Sequence, residues 1–385
     1  MEISSDSLRH LYVHIPFCNG KCIYCANYSE LYTKENAIAF LRALRNELKI
    51  LRGNVERWCP ETIYIGGGSP TVLDERDCAE LIDILFSAVD MRELKEWTVE
   101  VVPGSVSSDK VEILRQAGVN RVSVGAQSFD DSILQWAGRR HNVAEIIRTV
   151  EIIRKSGINN VGIDIISGFP GITLQTWQHG VAQAIELKPC HISVYALTVE
   201  EGSRLYRLYA GKKFIIDERE DIELLREAEH QLSSAGYVRY EISNYALPGY
   251  ECRHNVSYWR GEDYLGVGPG ATSRCGLYRR TNKPVLKRYI EALESGKLPP
   301  SDVEKLSPDA DITERFIFAF RLREGIDINS FVKKAPHLIN PWMDVLTMLQ
   351  KEGLVESNGT RWFLTSRGRE MADHVARELI VTRLS

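Results

Sequence analysis

The first half of the chain alternates short β-branched runs with longer segments of helical periodicity. Six runs have the length and apolar character of buried parallel strands: Leu11–Ile15, Thr62–Ile65, Thr98–Val102, Arg121–Gly125, Val161–Ile166 and Ile192–Leu197. The segments between them carry apolar stripes typical of helices, at Ala37–Leu51, Leu81–Phe86, Val111–Leu114, Ile146–Ile153 and Trp177–Ile185. Gly118 and Gly157 stand where helix C-caps are expected. This alternation predicts an α/β fold, a (β/α) barrel of six units, with function at the C-terminal ends of its strands.

The alternation weakens after Glu200, where the pattern predicts an extension that caps the barrel. A charged helical stretch covers Asp217–Ser233, and a strand is expected at Val238–Ile242. A glycine-rich turn region follows at Tyr264–Gly270.

A second unit is expected to begin near Pro308. Asp311 and Glu314 suit a capping box, and a long helix should stop before Gly353. Asn358–Gly359 then joins two short runs as a β-hairpin, followed by a last helix, so this unit is predicted to be a small helical, winged-helix-like domain. We therefore expect three parts: a core barrel over residues 1–200, a capping extension over 201–305 and a C-terminal domain over 306–385.

Charge and hydropathy exclude several classes of function. The formal net charge of −4 provides no basic field for a phosphate backbone, which argues against a nucleic-acid partner. No apolar run approaches the roughly 20 residues that a transmembrane helix needs. Residues Met1–His10 lack the apolar centre of a signal peptide, so the expected compartment is the cytosol.

Three cysteines form the strongest chemical signal in the chain. Cys18, Cys22 and Cys25 follow the first predicted strand within a short loop, and without a secretion signal they are expected to be reduced ligands rather than disulfides. Three thiolates can hold three irons of a cubane cluster and leave the fourth iron open to another ligand. The alternative, a structural zinc site, usually closes with a fourth Cys or His. The remaining cysteines are expected to act as small buried hydrophobes: Cys59, Cys78, Cys190, Cys252 and Cys275.

The cysteine loop stands within a longer stretch, YVHIPFCNGKCIYC from Tyr12 to Cys25, which closely resembles the opening of the HemN/HemW branch of radical S-adenosylmethionine (SAM) proteins. Further motifs resemble that branch in the same order: GGGSPT from Gly66, ExxPG from Glu100, GAQSF from Gly125, GRRH from Gly138, DIISGFPG from Asp164, HISVY from His191 and YxGxGPGA from Tyr264. The resemblance covers essentially the whole chain. It implies a partial (β/α)6 radical SAM barrel with a [4Fe-4S] cluster on the three cysteines of the loop.

The same resemblance implies which residues bind SAM. Tyr12, Gly67 and Glu100 match positions that line the SAM bound to the cluster, where glycine backbone can approach a ligand and a carboxylate can accept from ribose hydroxyls. A second set matches positions associated with SAM, or with a second SAM in members that bind two: Tyr24, Gly68, Ser69, Gln127, Arg139 and Asp164. Taken alone, the glycine run is more often a tight turn, and Glu100 a solvated charge at a strand end.

Some positions depart from the pattern of this branch. Ala26 and Asn27 stand where an acidic-aromatic pair is common, and Val102 stands where asparagine is expected before Pro103. Asn27 also occupies the place of a further cysteine in the HemN oxidase pattern. These departures weaken a coproporphyrinogen-oxidising function.

The segment RHNVSYW, Arg253–Trp259, resembles the HNxxYW signature that is associated with haem binding in this branch. Imidazole is a common axial ligand of haem iron, and aromatic rings can cover porphyrin faces. The resemblance therefore makes His254 a candidate haem ligand, with Tyr258 and Trp259 beside it. The alternative is a packed, hydrogen-bonded histidine, which is the commoner role of a histidine beside aromatic residues.

The resemblance implies a haem chaperone that binds a [4Fe-4S] cluster, SAM and haem and delivers haem to recipient haem proteins. The alternative is a radical SAM enzyme, a methyltransferase or porphyrin-modifying oxidoreductase, acting on a small-molecule substrate through a 5′-deoxyadenosyl radical. Either function implies a reductant protein as partner. The same cluster and SAM residues serve both functions. Only two observations separate them: binding of haem indicates a chaperone, and formation of an organic product indicates an enzyme. A nucleic-acid-binding winged helix is disfavoured by the acidic balance.

Overall fold

The structure is a computed structural model that describes residues 9–53, 58–209 and 218–381. The first part of the chain contains β1 (His10–Ile15), β2 (Phe17–Cys18), β3 (Glu30–Leu31), α1 (Lys34–Arg52), β4 (Thr62–Gly67), α2 (Glu75–Ala88), β5 (Glu96–Val101), α3 (Ser108–Ala117), β6 (Arg121–Gln127), α4 (Asp131–Trp136), α5 (Val143–Lys155), β7 (Asn160–Ser167), α6 (Leu174–Glu186) and β8 (His191–Ala196). The middle part contains α7 (Arg204–Tyr209), α8 (Glu218–Ser234), β9 (Val238–Arg239), β10 (Asn244–Ala246), α9 (Arg253–Trp259), β11 (Leu265–Val267), β12 (Thr272–Cys275), β13 (Tyr278–Asn282), α10 (Leu286–Glu294) and β14 (Ser301–Lys305). The last part contains α11 (Pro308–Ala319), β15 (Ile326–Asp327), α12 (Asn329–Val332), α13 (Pro336–Lys351), β16 (Val355–Ser357), β17 (Arg361–Leu364), α14 (Ser366–Glu370) and α15 (Ala372–Val381).

A nine-stranded sheet forms the centre of the molecule, in the order β11-β1-β4-β5-β6-β7-β8-β10-β9. The strands from β1 through β4 to β8 pair in parallel, each with the next, and helices connect them. Because the two edge strands β11 and β9 do not pair with each other, the barrel is partial. The predicted α/β barrel and its six strands are confirmed, and the five predicted helices are α1, α2, α3, α5 and α6. Gly118 caps α3 in the left-handed conformation, as predicted.

Alternate residues of each barrel strand face opposite sides of the sheet. On β6, Val122 and Val124 face outward and are buried in the main hydrophobic core. Arg121, Ser123 and Gly125 face inward and line the barrel interior. The barrel is therefore apolar toward its helices and polar inside.

Two expectations for the middle part need correction. The predicted strand Val238–Ile242 ends at Arg239, because the chain turns there and the Arg239 side chain donates to the Ile242 carbonyl at 3.0 Å. The predicted turn region Tyr264–Gly270 contains the strand β11, which pairs in parallel with β1. The predicted charged helix corresponds to α8, and Asp217 lies outside the described residues.

The C-terminal part has its own hydrophobic core and a three-stranded sheet in the order β15-β17-β16. The predicted hairpin is confirmed by the antiparallel pairing of β16 with β17. The predicted capping box is wrong: Ser307 caps α11 and accepts from the Ala310 N–H at 3.1 Å, while Asp311 pairs with Arg274 at 2.5 Å. Within the described ranges, no helix is long and apolar enough to cross a membrane.

Glu47 of α1 joins the barrel to the loop after β11. Its carboxylate is fully buried and accepts from the Gly268 N–H at 2.8 Å, the Asn282 side chain at 2.8 Å and the Tyr289 hydroxyl at 2.6 Å. Burial raises the pKa of this carboxyl group, although all three donors favour its charged form.

Replacing Glu47 with alanine should lower the free energy of unfolding by about 3 kcal/mol, because three buried donors lose their acceptor. Urea denaturation followed by circular dichroism measures this change. The exposed residue Glu151 on α5 provides the control, since Glu151→Ala should change stability by less than about 0.5 kcal/mol. Equal effects of the two substitutions would contradict the structural role of Glu47.

Candidate functional site

A cavity of about 430 Å³ opens at the C-terminal ends of the barrel strands and extends along the barrel interior. Its size is in the range of small-molecule sites. Its lining includes most residues that the sequence singles out: Cys18, Cys22, Cys25, Tyr24, Gly67, Gly68, Ser69, Glu100, Gln127, Arg139 and Asp164. Tyr12 and His254 lie outside this lining.

The three motif cysteines lie together at the cavity mouth. Cys18 ends β2, and Cys22 and Cys25 follow in the loop that leads to β3. All three are free and partly exposed. Burial raises the pKa of the Cys18 and Cys25 thiols, so both favour the protonated form unless a bound cation stabilises the thiolate.

This donor set fits an iron–sulfur cluster. Among the described residues, no group of three or more His, Cys, Asp or Glu side chains is arranged to hold a single metal ion. A cubane differs from such a site because each thiolate binds a separate iron. Arg139 lies beside the loop, with Nη1 3.5 Å from the Cys22 Sγ, and its charge would offset the negative charge of the thiolates.

Glycines bring the backbone after β4 against the cysteine loop. Gly67 has φ of 104°, and a Cβ there would lie 2.6 Å from the His14 Nδ1. A Cβ on Gly68 would lie 2.5 Å from the Phe17 carbonyl oxygen. The next residue, Ser69, is buried and its Oγ has no hydrogen-bond partner. Only glycine fits at these two positions, and the loop offers Ser69 as a polar group to a ligand.

Two partly buried carboxyl groups line the cavity on β5 and β7, the strands on either side of β6. Glu100 near the end of β5 accepts from the Tyr64 hydroxyl at 2.8 Å, and burial together with the Asp164 charge raises the pKa of Glu100 to about 7. Asp164 on β7 accepts from the Ser123 hydroxyl at 3.1 Å, and burial raises its pKa as well. Neither carboxylate has an ion-pair partner within the described ranges, so both remain available to donors of a ligand.

Arg139 and Gln127 lie at the C-terminal end of β6, the strand between those that carry Glu100 and Asp164. Arg139 donates to the Gly125 carbonyl at 2.6 Å, while its buried Nε has no partner. Gln127 has φ of 69°, which is unusual for a residue other than glycine, and it lies at a register shift between β6 and β7. Such strained backbone is concentrated at functional sites. Tyr24 packs against Phe169 at 5.4 Å between ring centroids and closes this side.

Tyr12 lies next to the cavity lining without being part of it. Its hydroxyl is 3.2 Å from the His14 Nδ1, and its ring lies 6.1 Å from that of Tyr64, which does line the cavity. Tyr12 and Tyr64 are register partners on the adjacent strands β1 and β4, so Tyr12 lies beside the lining residue Tyr64.

His254 is buried at the base of the barrel, with 1% of its surface exposed. Its Nδ1 lies 2.7 Å from the Thr62 Oγ1 and its Nε2 lies 2.8 Å from the Tyr258 hydroxyl. Burial lowers its pKa to about 3, so the imidazole is neutral. Neither ring nitrogen is open to haem iron in this arrangement.

The hydrogen-bond pattern assigns the tautomer of His254 when His10 is neutral. The Glu262 carboxylate accepts from the His10 Nε2–H at 2.9 Å, which leaves Nδ1 of His10 to accept from the Thr62 hydroxyl at 2.9 Å. The Thr62 oxygen then accepts from the Nδ1–H of His254, whose Nε2 accepts from Tyr258. The Nε2 lone pair, which a haem ligand requires, is thus directed at the Tyr258 hydroxyl.

Two other residues of the HNxxYW helix contact different parts of the molecule. Asn255 lines the cavity. Trp259 faces the C-terminal part, where the Arg321 guanidinium lies 4.3 Å from its ring centroid and Phe318 packs edge-on at 6.1 Å. The motif therefore joins the base of the barrel to the C-terminal domain.

The departures from the family pattern also lie at the cavity. The Asn27 Nδ2 is 3.4 Å from the Gly67 carbonyl oxygen, where it steadies the glycine loop against the cysteine loop. Val102 lines the wall beside Pro103.

The predicted site left out six inward-facing residues of the cavity, of which the last three stand in the HISVY motif without an assigned role: Tyr64, Arg121, Ser123, His191, Ser193 and Tyr195. Their signal is present in the sequence, because they occupy alternate positions of predicted strands. A polar residue at every second position of an otherwise apolar strand indicates a polar interior.

Comparisons with known proteins agree with this architecture. Residues 12–184 match the Radical SAM superfamily model, and residues 306–371 match the HemN C-terminal domain. The protein named Heme chaperone HemW from Bacillus subtilis (strain 168) is 31% identical over 372 residues, which cover 96% of this chain and 98% of that protein. Heme chaperone HemW from Escherichia coli (strain K12) is also 31% identical over 372 residues, covering 93% and 94%. The solved structure of coproporphyrinogen III oxidase (HemN) from Escherichia coli has a TM-score of 0.82 at 23% identity, covering 97% of this chain and 92% of that one, and this likeness shows the fold.

The parallel barrel, the cysteine loop at its mouth and the two family matches define a radical SAM protein with a HemN-type C-terminal domain. Within that superfamily, the chain belongs to the HemW family.

Replacing Glu100 with glutamine should stabilise the metal-free protein at about pH 8 and have little effect at about pH 4.5. The folded carboxyl group has a pKa of about 7, above the ordinary value of 4.5, so the folded state binds more protons between these values and stability falls as the pH rises. The expected gain at pH 8 is about 3 kcal/mol. Urea denaturation at several pH values measures it, with Glu151→Gln as the exposed control. An effect of Glu100→Gln that does not vary with pH would contradict the raised pKa.

Proposed function

We propose that this protein is a haem chaperone of the HemW type. It would hold a [4Fe-4S] cluster and SAM in the barrel and bind haem for delivery to recipient haem proteins. The observation that carries this proposal is the end-to-end similarity to proteins named Heme chaperone HemW, at 96% of this chain and 98% of the Bacillus subtilis protein.

The cluster would be held by Cys18, Cys22 and Cys25. Their arrangement at the cavity mouth leaves one iron without a protein ligand, and SAM would occupy that position. When bound and reduced by a partner protein, the cluster supplies an electron to the sulfonium of SAM. The Arg139 guanidinium beside Cys22 would offset the negative charge that collects there.

The other cavity residues would bind SAM through its polar groups. The backbone at Gly67 would contact the methionyl part, and Glu100 would accept from ribose hydroxyls. A second group of residues would complete the SAM site, or form the site of a second SAM: Tyr24, Gly68, Ser69, Gln127, Arg139 and Asp164. The unpartnered Ser69 Oγ and Arg139 Nε support this assignment, because buried polar atoms normally have partners. Tyr12 would join the site from its place beside Tyr64.

Haem would bind at the HNxxYW helix, with His254 as the axial ligand. With His10 neutral, the tautomer supports this role, since Thr62 accepts from Nδ1–H and the Nε2 lone pair could bind iron in place of the Tyr258 hydroxyl. Access requires a change, because Tyr258 caps Nε2 and the imidazole is buried. We therefore propose that Tyr258 swings away when haem binds.

Each of the three expected parts of the chain would have its own function. Residues 1–200 would carry the cluster and SAM, residues 201–305 the haem motif, and residues 306–385 a domain that contacts haem recipients. The contact between Trp259 and Arg321 supports a link between the last two.

The alternative is a radical SAM enzyme that acts on a small-molecule substrate. The polar groups below the proposed SAM residues favour it, because they could contact a substrate next to SAM. This alternative requires a defined organic product, which a chaperone does not form.

Replacing Cys18, Cys22 and Cys25 together with alanine should abolish the cluster, because a cubane without thiolate ligands is labile. Iron and sulfide analysis after anaerobic reconstitution, together with the cluster's absorption spectrum, measures this loss. Alanine at Cys59 or Cys190 should leave the cluster intact. A triple variant that retains the iron and the spectrum would exclude the assignment.

His254→Ala should eliminate stoichiometric haem binding and shift the haem absorption band, while the iron and sulfide content of the cluster stays unchanged. Tyr258→Phe should bind haem at least as tightly as the wild type, because it removes the hydroxyl that occupies Nε2. Anaerobic titration to saturation measures both.

His179→Ala, at an exposed position of α6, controls for haem that binds to surface imidazoles. If His254→Ala binds haem normally while the wild type converts SAM with formation of a defined organic product, the radical-enzyme alternative replaces the chaperone.

A further inference from the structure

Three polar side chains border the part of the cavity beside Gly162 of β7, a position deep in the barrel. Measured from the point where a Cβ of this residue would lie, the His191 Nδ1 is at 3.4 Å, the Ser123 Oγ at 3.4 Å and the Arg121 Nη2 at 3.6 Å. These side chains come from the neighbouring strands β6 and β8, and all three line the cavity. The absence of a side chain at Gly162 keeps this position open.

Two of the three groups are buried and lack partners. Arg121 and His191 are each 1% exposed, and neither the Arg121 Nε nor the His191 Nδ1 has a hydrogen-bond partner. In the described part of the chain, no carboxylate lies within ion-pair distance of the Arg121 guanidinium. Buried charges are normally paired, because an unpaired one is costly. The Glu96 and Asp164 carboxylates act on this charge from beyond ion-pair distance, so the Arg121 guanidinium lacks an anion in direct contact.

His191 presents a hydrogen to this position. Its Nε2 lies 2.9 Å from the Tyr240 hydroxyl, whose oxygen already accepts from the Cys252 N–H at 3.3 Å. The Tyr240 hydrogen therefore points to Nε2, and the proton of the neutral imidazole lies on Nδ1. Arg121 and His191 thus offer two donors, while the Ser123 hydroxyl donates to Asp164.

We propose that this position is a subsite for the carboxylate group of a small organic molecule, with one oxygen between Arg121 and His191. The subsite lies below the residues assigned to SAM and does not depend on haem binding. Asp164 faces the same cavity, and its negative charge favours a singly charged carboxylate over a phosphate. The ligand would enter from the mouth of the barrel and place its remaining atoms toward SAM.

Gly162→Ala tests the subsite without removing a polar group. Gly162 does not have the positive φ that disfavours alanine, and the added methyl group would fill the position at ordinary contact distance. The probe is acetate, titrated at constant ionic strength into anaerobically reconstituted protein and followed by isothermal calorimetry and ligand-observed NMR. We expect saturable acetate binding to the wild type and a loss of affinity of about tenfold or more in Gly162→Ala.

Acetamide provides the uncharged probe of the same shape, and it should bind at least about tenfold more weakly than acetate. Gly180→Ala on α6 is the matched control, because its methyl group would meet only the Phe129 Cβ at 3.8 Å. SAM affinity should be unchanged in Gly162→Ala, which confirms that the rest of the cavity is intact. Acetate that binds Gly162→Ala as well as the wild type, or no saturable binding to either, would show that the position holds water only and overturn the proposal. Equal binding of acetate and acetamide would overturn the charged subsite as well.

Discussion

Parallel pairing of the barrel strands directs every second side chain into the interior, and the polarity of those side chains determines what the molecule can do there. Arg121, Glu100 and Asp164 are costly to bury. The fold accommodates them because they share one cavity, where their charges offset one another and a ligand can complete their hydrogen bonds. Outward residues such as Val122 and Val124 form the apolar core with the helices, so one strand serves both stability and chemistry.

A further carboxylate, that of Glu96, is buried at the base of the barrel. Glu96 of β5 accepts from the backbone N–H groups of Arg253 and His254 at 3.0 Å each, and so holds the start of the HNxxYW helix against the sheet. The other end of the helix carries Trp259, which packs beneath Arg321 of the C-terminal domain. The HNxxYW helix is therefore held at both ends, by β5 of the barrel and by the C-terminal domain.

The residues that line the cavity do not by themselves distinguish a haem chaperone from a radical SAM enzyme. The cysteine loop and the residues beside it serve any protein that binds a cluster and SAM. The deeper groups, Arg121 and His191, have no role in that chemistry and are available to another ligand. The motif that distinguishes the proposed chaperone lies at the base of the barrel, where Asn255 reaches the cavity and the Tyr258 hydroxyl occupies the Nε2 of His254.

The sequence by itself determined the six barrel strands, their helices, the cysteine loop and the cavity-lining residues beside it, because local periodicity and closely spaced motifs carry that information. It failed where the partner of a residue is distant in the chain. Ser307 rather than Asp311 caps α11, since Asp311 is drawn to Arg274. β11 forms only because β1 offers it an edge. The closure of His254 by Thr62 and Tyr258, and the convergence of Arg121 and His191 beside Gly162, depend on how separate strands and a helix meet, which only the tertiary structure decided.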